Sequence, residues 1–367
     1  MNGNPISRRP FLKTAIAAGL ATTLTKGQEK EMKRKKVGWA LVGLSSLCQR
    51  KIGPAFLKTK NSRLAGIVTG TPEKAAEWQK KYEVEDSGVY NYDNFDEIID
   101  NPDIDVVYIV LPNSMHKEYA LRAAKAGKHV YVEKPMAVTP EDCREMIAAC
   151  EEAGVKLGVA YRLQFEPHHM EAIRFAREKV FGEVRHIDAG FAFRAQDANA
   201  WRMKKEYGGG AMLDVGVYAI QGVRYIFGEE PETVTALGTK TDKEKFAEVD
   251  ETTSYTMKFP SGKTANLFTS FNLPGYNRLT AFADKGRFGL EPCFGTQGQK
   301  GWTSDPKVPL DFPQTDHFQV QMDLFSEAIL EGKEWKVDGT EGLRDHLVIE
   351  AVLKSVESGK AETVGKV

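Results

Sequence analysis

Short apolar runs alternate with helical patterns throughout residues 37–160, and this alternation constrains the fold more than any other feature of the chain. The apolar runs have the length of buried strands and lie at 37–43, 63–68, 105–111, 129–132 and 156–160. The helical patterns lie at 46–59, where Pro54 predicts a kink, and at 71–82, 95–99, 116–126 and 139–152. Strands that alternate with helices predict a parallel, doubly wound α/β sheet of the Rossmann type.

Longer strands of alternating polar and apolar residues characterise the second half of the chain. They lie at 184–194, 232–240, 251–259, 263–272 and 278–284, with helical patterns at 168–180, 210–227, 317–331 and 339–358. Such strands indicate a largely antiparallel or mixed open sheet with one face in water. We therefore predict a Rossmann dinucleotide-binding domain over 37–160, an α+β domain for substrate binding and oligomerisation over 161–338, and a C-terminal helix and tail over 339–367.

The composition excludes several classes of protein. Lys and Arg total 50 and Asp and Glu total 51, so a net charge of −1 gives no whole-chain electrostatic basis for binding nucleic acid or an anionic membrane. The four cysteines are too few for a disulfide scaffold, and their spacing matches no common zinc pattern, so we expect them to be reduced and buried. The adjacent His168 and His169 match no ligand pattern either, and we expect no metal.

The first thirty residues have the features of a targeting segment. Residues 7–13 read SRRPFLK, and a short uncharged stretch follows up to Thr25. This arrangement resembles a twin-arginine export signal, and the apolar stretch is too short to span a bilayer. We expect residues 1–30 to be a signal or an N-terminal arm, and the protein to be periplasmic or otherwise exported, without stable membrane insertion. The alternative is a basic disordered N-terminus.

A candidate phosphate-binding loop follows the first strand. It consists of Gly43, Leu44, Ser45, Ser46 and Leu47, with Cys48 directly after it. The dinucleotide fingerprint has three small residues here, and only the first glycine is present, since Ser45 and Cys48 stand at the other two positions. Both replacements are small, so a pyrophosphate at the helix N-terminus remains compatible with this loop. A purely structural strand-to-helix turn is the alternative.

The end of the second strand predicts the type of nucleotide. NAD-binding proteins carry a carboxylate here for the ribose hydroxyls, whereas this chain has Thr69, Gly70 and Thr71, with Lys74 one turn further on. Hydroxyls and a lysine accept a 2′-phosphate that a carboxylate would repel. The sequence therefore favours NADP over NAD, unless Lys74 is only a solvated helix lysine.

Three further motifs carry groups suited to chemistry. LPNSMH at 111–116 and EKP at 133–135 each follow a strand of the parallel sheet, at the edge where such sheets bind ligands. DVGVY at 214–218 lies on a predicted helix of the second half. Because Asp214 and Tyr218 are four residues apart, they share one face of that helix.

Together these motifs resemble the glucose–fructose oxidoreductase / inositol dehydrogenase / MocA family from about residue 37 to the C-terminus. The resemblance extends to ALVGL at 40–44, VYNYDNFDEI at 89–98, AGKHVYVEKPMA at 126–137 and WRMKKEYGGGAMLDVGVYAIQGVRYIFGEEP at 201–231. Within the family, the chain most resembles the periplasmic glucose–fructose oxidoreductases. The resemblance implies a nicotinamide-dependent oxidoreductase that acts on a sugar or polyol and forms a dimer or tetramer.

The resemblance also assigns roles to residues. Lys134 would contact the substrate hydroxyl and the nicotinamide ribose, and Tyr218 would be the acid/base where many relatives carry His. Asp214 would hold a neighbouring sugar hydroxyl, and Arg162 would line the site. Thr69, Gly70 and Lys74 match the positions that hold the 2′-phosphate. The other implied cofactor contacts are the loop from Gly43 to Leu47, Tyr92, Leu111, Pro112, Asn113, His116, Glu133, Lys134, Arg162, Trp201 and Arg202.

The implied chemistry agrees with elementary requirements. Oxidising a C–OH group needs a base for the hydroxyl proton and an acceptor for the hydride, which nicotinamide supplies. A lysine cation beside a tyrosine favours the phenolate, so Lys134 and Tyr218 would act as a pair across the cleft between the two domains. Structural alternatives are that Tyr218 packs its helix against the sheet and that Asp214 pairs with Arg162 or Arg202.

Several functions remain open at this point. The leading one is an exported NADP-dependent sugar oxidoreductase that keeps its cofactor and alternates between two sugars. A simpler one is an aldose or polyol dehydrogenase with exchangeable NAD(P). A nicotinamide-dependent glycosidase is less favoured, because those relatives tend to be longer and carry His at position 218. A binding protein without turnover is also less favoured, since it would not need to keep both Lys134 and Tyr218.

Overall fold

The computed structural model describes residues 36–367. The predicted export signal at 1–30 therefore lies outside the described residues. Within the described part, the helices lack the combination of length and apolar character that crossing a membrane requires.

Six parallel strands form the first sheet. They are β1 (Val37–Val42), β2 (Ser62–Val68), β3 (Val89–Tyr90), β4 (Val106–Ile109), β5 (His129–Val132) and β6 (Leu157–Val159). Their order across the sheet is β3-β2-β1-β4-β5-β6, which is the doubly wound order of dinucleotide-binding folds. This confirms the predicted Rossmann sheet. The sequence did not predict β3, because its two residues are too few to show a period.

The helices of this half follow the predicted positions closely. A π-helical turn (Cys48–Ile52) leads into α1 (Gly53–Phe56), and the longer helices are α2 (Pro72–Tyr82), α3 (His116–Lys125) and α4 (Pro140–Glu152). The wide turn lies where the sequence predicts a kink, because Pro54 has no N–H to donate and its ring crowds the preceding turn. The predicted helix at 95–99 is a 3₁₀ helix, Phe95–Asp100.

Eight strands form the second sheet. They are β7 (Val184–Arg194), β8 (Thr233–Thr239), β9 (Thr252–Lys258), β10 (Thr264–Ser270), β11 (Asn272–Ala283), β12 (Gly286–Leu290), β13 (Gly301–Thr303) and β14 (Glu362–Thr363). Their order is β13-β12-β11-β7-β10-β9-β8-β14, and only β7 and β10 run parallel among these strands. The sheet is therefore mixed and mainly antiparallel, as predicted. The sequence did not predict the short strands β12, β13 and β14.

The helices of the second half are α5 (Pro167–Arg177), α6 (Val217–Phe227), α7 (His317–Leu330) and α8 (Gly339–Ser358). A π-helical turn, Met212–Gly216, leads directly into α6, where the sequence predicts one regular helix. The four cysteines are all buried and free, as predicted.

Helix α7 packs on the first sheet, although it follows the second sheet in the chain. The Trp39 indole of β1 is fully buried, lies 5.7 Å from the Phe325 ring of α7, and donates a hydrogen bond of 2.9 Å to Ser326 Oγ. The Asp323 carboxylate of α7 accepts the backbone N–H groups of Lys60 and Asn61 just before β2. These contacts anchor the middle of α7 on the first sheet.

Candidate active site

The carboxyl ends of the first sheet and the start of α6 meet at one place. Strand β5 is followed by Glu133 and Lys134, and strand β6 by Arg162. Asp214 and Tyr218 come from the π-helical turn and the first turn of α6. Folds with a parallel sheet of this kind bind their ligands in the crevice at the carboxyl ends of the strands.

Lys134 and Asp214 form the central ion pair of this cluster. Lys134 Nζ donates to the Asp214 backbone oxygen at 2.7 Å and to Asp214 Oδ1 at 3.0 Å, while Arg202 Nε donates to Asp214 Oδ2 at 2.7 Å. Burial opposes the charge on Asp214, but the charges of Lys134 and Arg202 outweigh it and lower the pKa of Asp214 to about 2. The predicted pairing of Asp214 with an arginine is therefore with Arg202, and the carboxylate stays ionised.

The Lys134 ammonium group is charged and has one N–H donor that forms no hydrogen bond with the described residues. Burial lowers its pKa, but the combined effects of Asp214, Tyr218 and Glu133 raise it more, so the net shift is upward and the group stays charged. Among the described residues, two of its three N–H donors go to Asp214. The Nζ atom lies 4.8 Å from the centroid of the Tyr218 ring, so Asp214 and Tyr218 do share the face that meets Lys134.

Tyr218 is held by a second cation. Arg162 Nη2 donates to Tyr218 Oη at 3.1 Å and to the Phe294 backbone oxygen at 2.8 Å, and both Arg162 and Tyr218 are buried. The other guanidinium nitrogen, Nη1, donates to the Gly295 oxygen at 2.8 Å and lies 3.3 Å from His317 Nε2. The sequence predicted that Arg162 lines the site, and the structure adds a direct contact with the tyrosine hydroxyl.

Asp250 anchors the helical segment that carries Asp214 and Tyr218. The backbone N–H of Met212 donates to Asp250 Oδ2 at 2.8 Å, which satisfies a free donor at the start of the segment. Gly210 has φ +117, and a Cβ on it would lie 2.1 Å from Asp250 Oδ1, so the approach requires glycine. Sequence reasoning missed Asp250, because nothing in its local pattern connects it with a helix some forty residues earlier.

The loop after β1, which the sequence predicts to bind phosphate, begins with a tight turn at Gly43. Gly43 has φ +88, and a Cβ on it would lie 2.6 Å from the Val110 oxygen, so only glycine fits. The Cys48 thiol donates to the Gly43 oxygen at 3.0 Å, and the Cys48 N–H donates to Ser45 Oγ at 3.4 Å. Leu44 is buried, whereas Ser45, Ser46 and Leu47 are at least partly accessible.

The segment after β4 connects the two halves. His116 is fully buried, with Nδ1 2.9 Å from the Pro135 oxygen and Nε2 3.0 Å from the Leu111 oxygen, so its ring links the segments after β4 and β5. Burial lowers the pKa of His116 to about 4. Asn113 is also buried, and its Nδ2 donates to the Gly208 oxygen at 2.8 Å, which joins this segment to the glycine-rich turn before α6. Pro112 lies between them, partly exposed.

Glu133 points into the sheet rather than into the cleft. Tyr108 Oη donates to Glu133 Oε1 at 2.7 Å, and the backbone N–H of Lys134 donates to Oε2 at 3.2 Å. Burial raises the pKa of this carboxyl above its usual value. Glu133 therefore fixes the backbone from which the Lys134 side chain extends.

The predicted 2′-phosphate contacts lie on the other side of β1. Thr69 follows β2 and is buried, and the Thr71 N–H donates to Thr69 Oγ1 at 3.3 Å. Gly70 is exposed, and a Cβ on it would lie 3.3 Å from the Tyr92 ring. Lys74 is exposed and makes no ion pair with the described part of the chain. These residues belong to the β2–β3 side of the sheet, whereas Lys134 and Arg162 belong to the β4–β6 side.

The predicted contacts Trp201 and Arg202 lie at the partly exposed rim of the cluster, where Arg202 binds Asp214. Trp201 is partly exposed, and the Arg202 guanidinium lies 4.5 Å from its ring centroid. His168 and His169 both bind the buried Glu166 carboxylate, each through Nδ1 at 2.7 Å. Within residues 36–367, no set of three or more His, Cys, Asp or Glu side chains converges in a way that would hold a metal ion.

Comparisons with known proteins agree with this architecture. A family model described as the oxidoreductase family with an NAD-binding Rossmann fold matches residues 37–161, and a GFO/IDH/MocA C-terminal domain matches residues 169–289. The solved aldose-aldose oxidoreductase of Caulobacter crescentus, complexed with glycerol, is 39% identical, with a TM-score of 0.86, and the match covers 89% of this chain and 99% of that one.

Two D-xylose dehydrogenases are relatives of lower sequence identity. The D-xylose 1-dehydrogenase (NADP(+)) 2 of Haloferax volcanii is 29% identical over 276 residues, which cover 74% of this chain and 83% of that protein. The D-xylose 1-dehydrogenase [NADP(+)] of Haloarcula marismortui is 27% identical over 341 residues, which cover 90% of this chain and 94% of that protein.

Proposed function

The chain belongs to the GFO/IDH/MocA oxidoreductase family, and from this premise we propose that it transfers a hydride between a sugar hydroxyl carbon and a bound nicotinamide nucleotide. The observation that carries the proposal is the cluster of Lys134, Asp214, Tyr218 and Arg162 at the carboxyl edge of the first sheet. The relatives named for acting on aldoses or on D-xylose support a sugar as the substrate.

The residues present fit a dinucleotide lying across the sheet. The loop from Gly43 to Leu47 follows the central strand β1, with Gly70 and Tyr92 on one side and Lys134 on the other. This arrangement matches the crossing point at which doubly wound sheets bind dinucleotides. When bound, the nicotinamide supplies the hydride acceptor.

In the oxidative direction, we assign the base to Tyr218. Its hydroxyl accepts a hydrogen bond from Arg162, so a phenolate there would be stabilised by an adjacent positive charge. Lys134 has one donor left for the reacting sugar oxygen, which it would orient and, as that oxygen gains negative charge, stabilise. In the reductive direction, Tyr218 returns the proton to the same oxygen.

Asp214 has two functions in this scheme. It balances the buried charge of Lys134, and it positions the Nζ atom through two contacts. Each carboxylate oxygen can accept a second hydrogen bond, so Asp214 can also hold a neighbouring sugar hydroxyl. Trp201 and Arg202 would close the cofactor side of the site from the second half of the chain.

We propose NADP as the nucleotide. Thr69 and Gly70 at the end of β2 bring no carboxylate to the ribose. Lys74, in the first turn of α2, offers a positive charge that forms no ion pair with residues 36–367. The names of both D-xylose dehydrogenase relatives give NADP(+) as their cofactor.

We further propose that the nucleotide stays bound and that two sugars react in turn, one oxidised and the other reduced. An aldose-aldose oxidoreductase among the relatives supports this order, and the twin-arginine motif at Arg8 and Arg9 supports an exported protein that carries its nucleotide with it. Replacing both arginines by lysine should then leave the protein in the cytoplasm, which cell fractionation would show. Unchanged export would contradict the proposal.

A homo-oligomer built on the second sheet is the assembly we propose. Side chains alternate between buried and exposed along β9, and Leu237 and Phe282 are large apolar residues that are 68% and 38% exposed. Light scattering coupled to size-exclusion chromatography tests the assembly, and a monomer at micromolar concentration would contradict it.

One experiment tests the function itself. Protein purified without added nucleotide is denatured, and the released nucleotide is identified by mass. Native protein is then mixed with single aldoses while absorbance at 340 nm is followed, and a second sugar is added. Stoichiometric NADP, with a rise that the second sugar reverses, is expected. A rise that occurs only with added NADP would instead indicate a dehydrogenase with exchangeable nucleotide, and no response to any aldose or polyol would contradict the proposal.

A further inference from the structure

The buried cation beside Tyr218 has unusual surroundings. Arg162 makes hydrogen bonds only with neutral acceptors among the described residues, namely the oxygens of Phe294 and Gly295, Tyr218 Oη and His317 Nε2. The Glu133 carboxylate lies within electrostatic range but does not bond to the guanidinium. The charge of Arg162 is therefore directed to the tyrosine oxygen rather than neutralised by a paired carboxylate.

Among residues 36–367, His317 contributes the one side-chain acceptor for Arg162 other than Tyr218 itself. Arginine has no acceptor atom, so the contact of 3.3 Å requires that His317 Nε2 be unprotonated. The proton then lies on Nδ1, which is buried and has no partner within the described part of the chain. Burial and the charge of Arg162 lower the pKa of His317 to about 3, so the imidazole is neutral at neutral pH.

Helix α7, which packs on the first sheet, fixes the position of His317. His317 is the first residue of α7, and the Asp316 side chain caps that helix by accepting the Gln319 N–H at 3.3 Å. The rest of α7 packs on the first sheet around Trp39. The next residue, Phe318, has its ring 5.7 Å from the Arg162 guanidinium carbon, so the start of α7 contacts Arg162 through two side chains.

We propose that His317 is a positioning residue for the acid/base: by accepting a hydrogen bond from Arg162, it orients the guanidinium so that Nη2 donates to Tyr218 Oη. The inference rests on the proposed function, because it takes Tyr218 as the acid/base. With Arg162 as the donor, the Tyr218 proton is directed away from Arg162 and towards the cleft, where a substrate oxygen would receive it. His317 acts through Arg162, whose Nη1 its Nε2 contacts at 3.3 Å.

Two variants and a matched control test this role. His317→Phe keeps the ring shape but removes the acceptor, and His317→Gln keeps an acceptor oxygen. The control is His346→Phe, because His346 is equally buried, also accepts one hydrogen bond through Nε2, here from the Ala137 N–H, and also leaves Nδ1 without a partner among residues 36–367. The control therefore removes a comparable bond from a histidine that makes no hydrogen bond with Arg162.

The kinetic readout is the single-turnover rate of nucleotide reduction by a sugar in protein that retains its nucleotide. We expect His317→Phe to lower this rate by about 10-fold or more and to move the rising limb of its pH profile to higher pH. His317→Gln should recover most of the rate, and His346→Phe should stay within about 2-fold of the parent chain. Equal effects of His317→Phe and His346→Phe would show that His317 is only structural.

A second readout does not depend on turnover. The pH titration of tyrosinate absorbance near 295 nm is recorded with and without Tyr218→Phe, and the difference isolates Tyr218. In the His317→Phe background, this difference titration should move to higher pH, and in the His317→Gln background it should not. An unchanged difference titration overturns the inference. Failure of the parent chain to reduce its nucleotide with any sugar overturns the proposed function instead, while this titration still tests the contact.

Discussion

Arg162 Nη2 lies 3.1 Å from Tyr218 Oη, whereas Lys134 Nζ lies over the face of the same ring, 4.8 Å from its centroid. Arg162 therefore contacts the hydroxyl of the tyrosine, whereas Lys134 contacts the face of its ring. The charge of Lys134 is balanced by Asp214 at 3.0 Å, and that of Arg162 is not balanced by a bonded carboxylate in the described part of the chain. From this difference we infer that Arg162 stabilises the phenolic oxygen of Tyr218, while Lys134 is free to act on the substrate oxygen.

Replacing Lys134 by methionine should impair hydride transfer severely. Methionine keeps the volume of the side chain but removes the donor to the substrate oxygen, so we expect the single-turnover rate to fall by about 100-fold to 10,000-fold. The buried Asp214 keeps Arg202 as a partner, so the protein should still fold. Stopped-flow absorbance at 340 nm measures the rate, and a loss of less than about 10-fold would contradict the assigned role.

Replacing Lys74 by alanine should weaken NADP binding and leave NAD binding unchanged. The reason is that only NADP carries the 2′-phosphate that a lysine in the first turn of α2 would attract. We expect a loss of about 10-fold in NADP affinity, measured by titration calorimetry on protein stripped of nucleotide. Lys80→Ala is the control, since Lys80 is exposed near the other end of the same helix. Equal NADP affinities of the two variants would be inconsistent with a phosphate contact at Lys74.

Gly208 should tolerate alanine less well than Gly127, although both have φ +68. A Cβ on Gly208 would lie 2.7 Å from Val138 Cγ2 and 2.9 Å from Asn113 Cβ, whereas a Cβ on Gly127 meets nothing within 4 Å. The left-handed backbone costs about 1 kcal/mol in both variants, and overpacking adds about 1–3 kcal/mol at Gly208 only. Urea unfolding measures the difference, and equal free energies of unfolding would contradict the close approach.

Two buried histidines should contribute less to stability as the pH is lowered from 6.5 towards 4. Burial lowers the pKa of His346 and of His116 to about 4, so these side chains stay neutral in the folded state while the unfolded chain takes up protons. Because these two groups bind more protons in the unfolded state in this range, their contribution to the free energy of unfolding rises with pH.

The variant His346→Gln tests this predicted pH dependence of the free energy of unfolding. Glutamine can still accept the Ala137 N–H but does not titrate, so the slope of unfolding free energy against pH should decrease by up to one proton between pH 6.5 and 4. Urea unfolding at a series of pH values gives the slope. An unchanged slope would mean that His346 does not contribute to the acid sensitivity.

Much of the fold could be predicted because its signals are local. In the first sheet, every strand except β3 is a compact apolar run. Cap residues mark where helices begin; Thr139, for example, accepts the Asp142 N–H at 3.1 Å at the start of α4. The two-residue strand β3 and the π-helical turn Met212–Gly216 could not be predicted, because neither changes the hydrophobic period of the sequence around it.

The candidate site was predictable where a motif carries it and not where the partner is distant in the chain. Lys134, Asp214 and Tyr218 stand in recognisable motifs, and the structure brings their side chains together. His317 and Asp250 contact this group only through the tertiary fold, since α7 must first pack on the first sheet to place His317 beside Arg162. Such pairings depend on topology, and a single sequence does not encode them in any local pattern.

The measurement that tests the account most directly compares the parent chain with Tyr218→Phe in a single turnover. Both are loaded with NADP, mixed with an aldose deuterated at C1 or its unlabelled form, and followed at 340 nm. The account predicts an absorbance rise with a primary isotope effect in the parent chain and a rate about 100-fold to 10,000-fold lower in Tyr218→Phe, with sugar affinity unchanged. Equal rates in the two proteins would contradict Tyr218 as the acid/base, and with it the site described around Lys134 and Arg162.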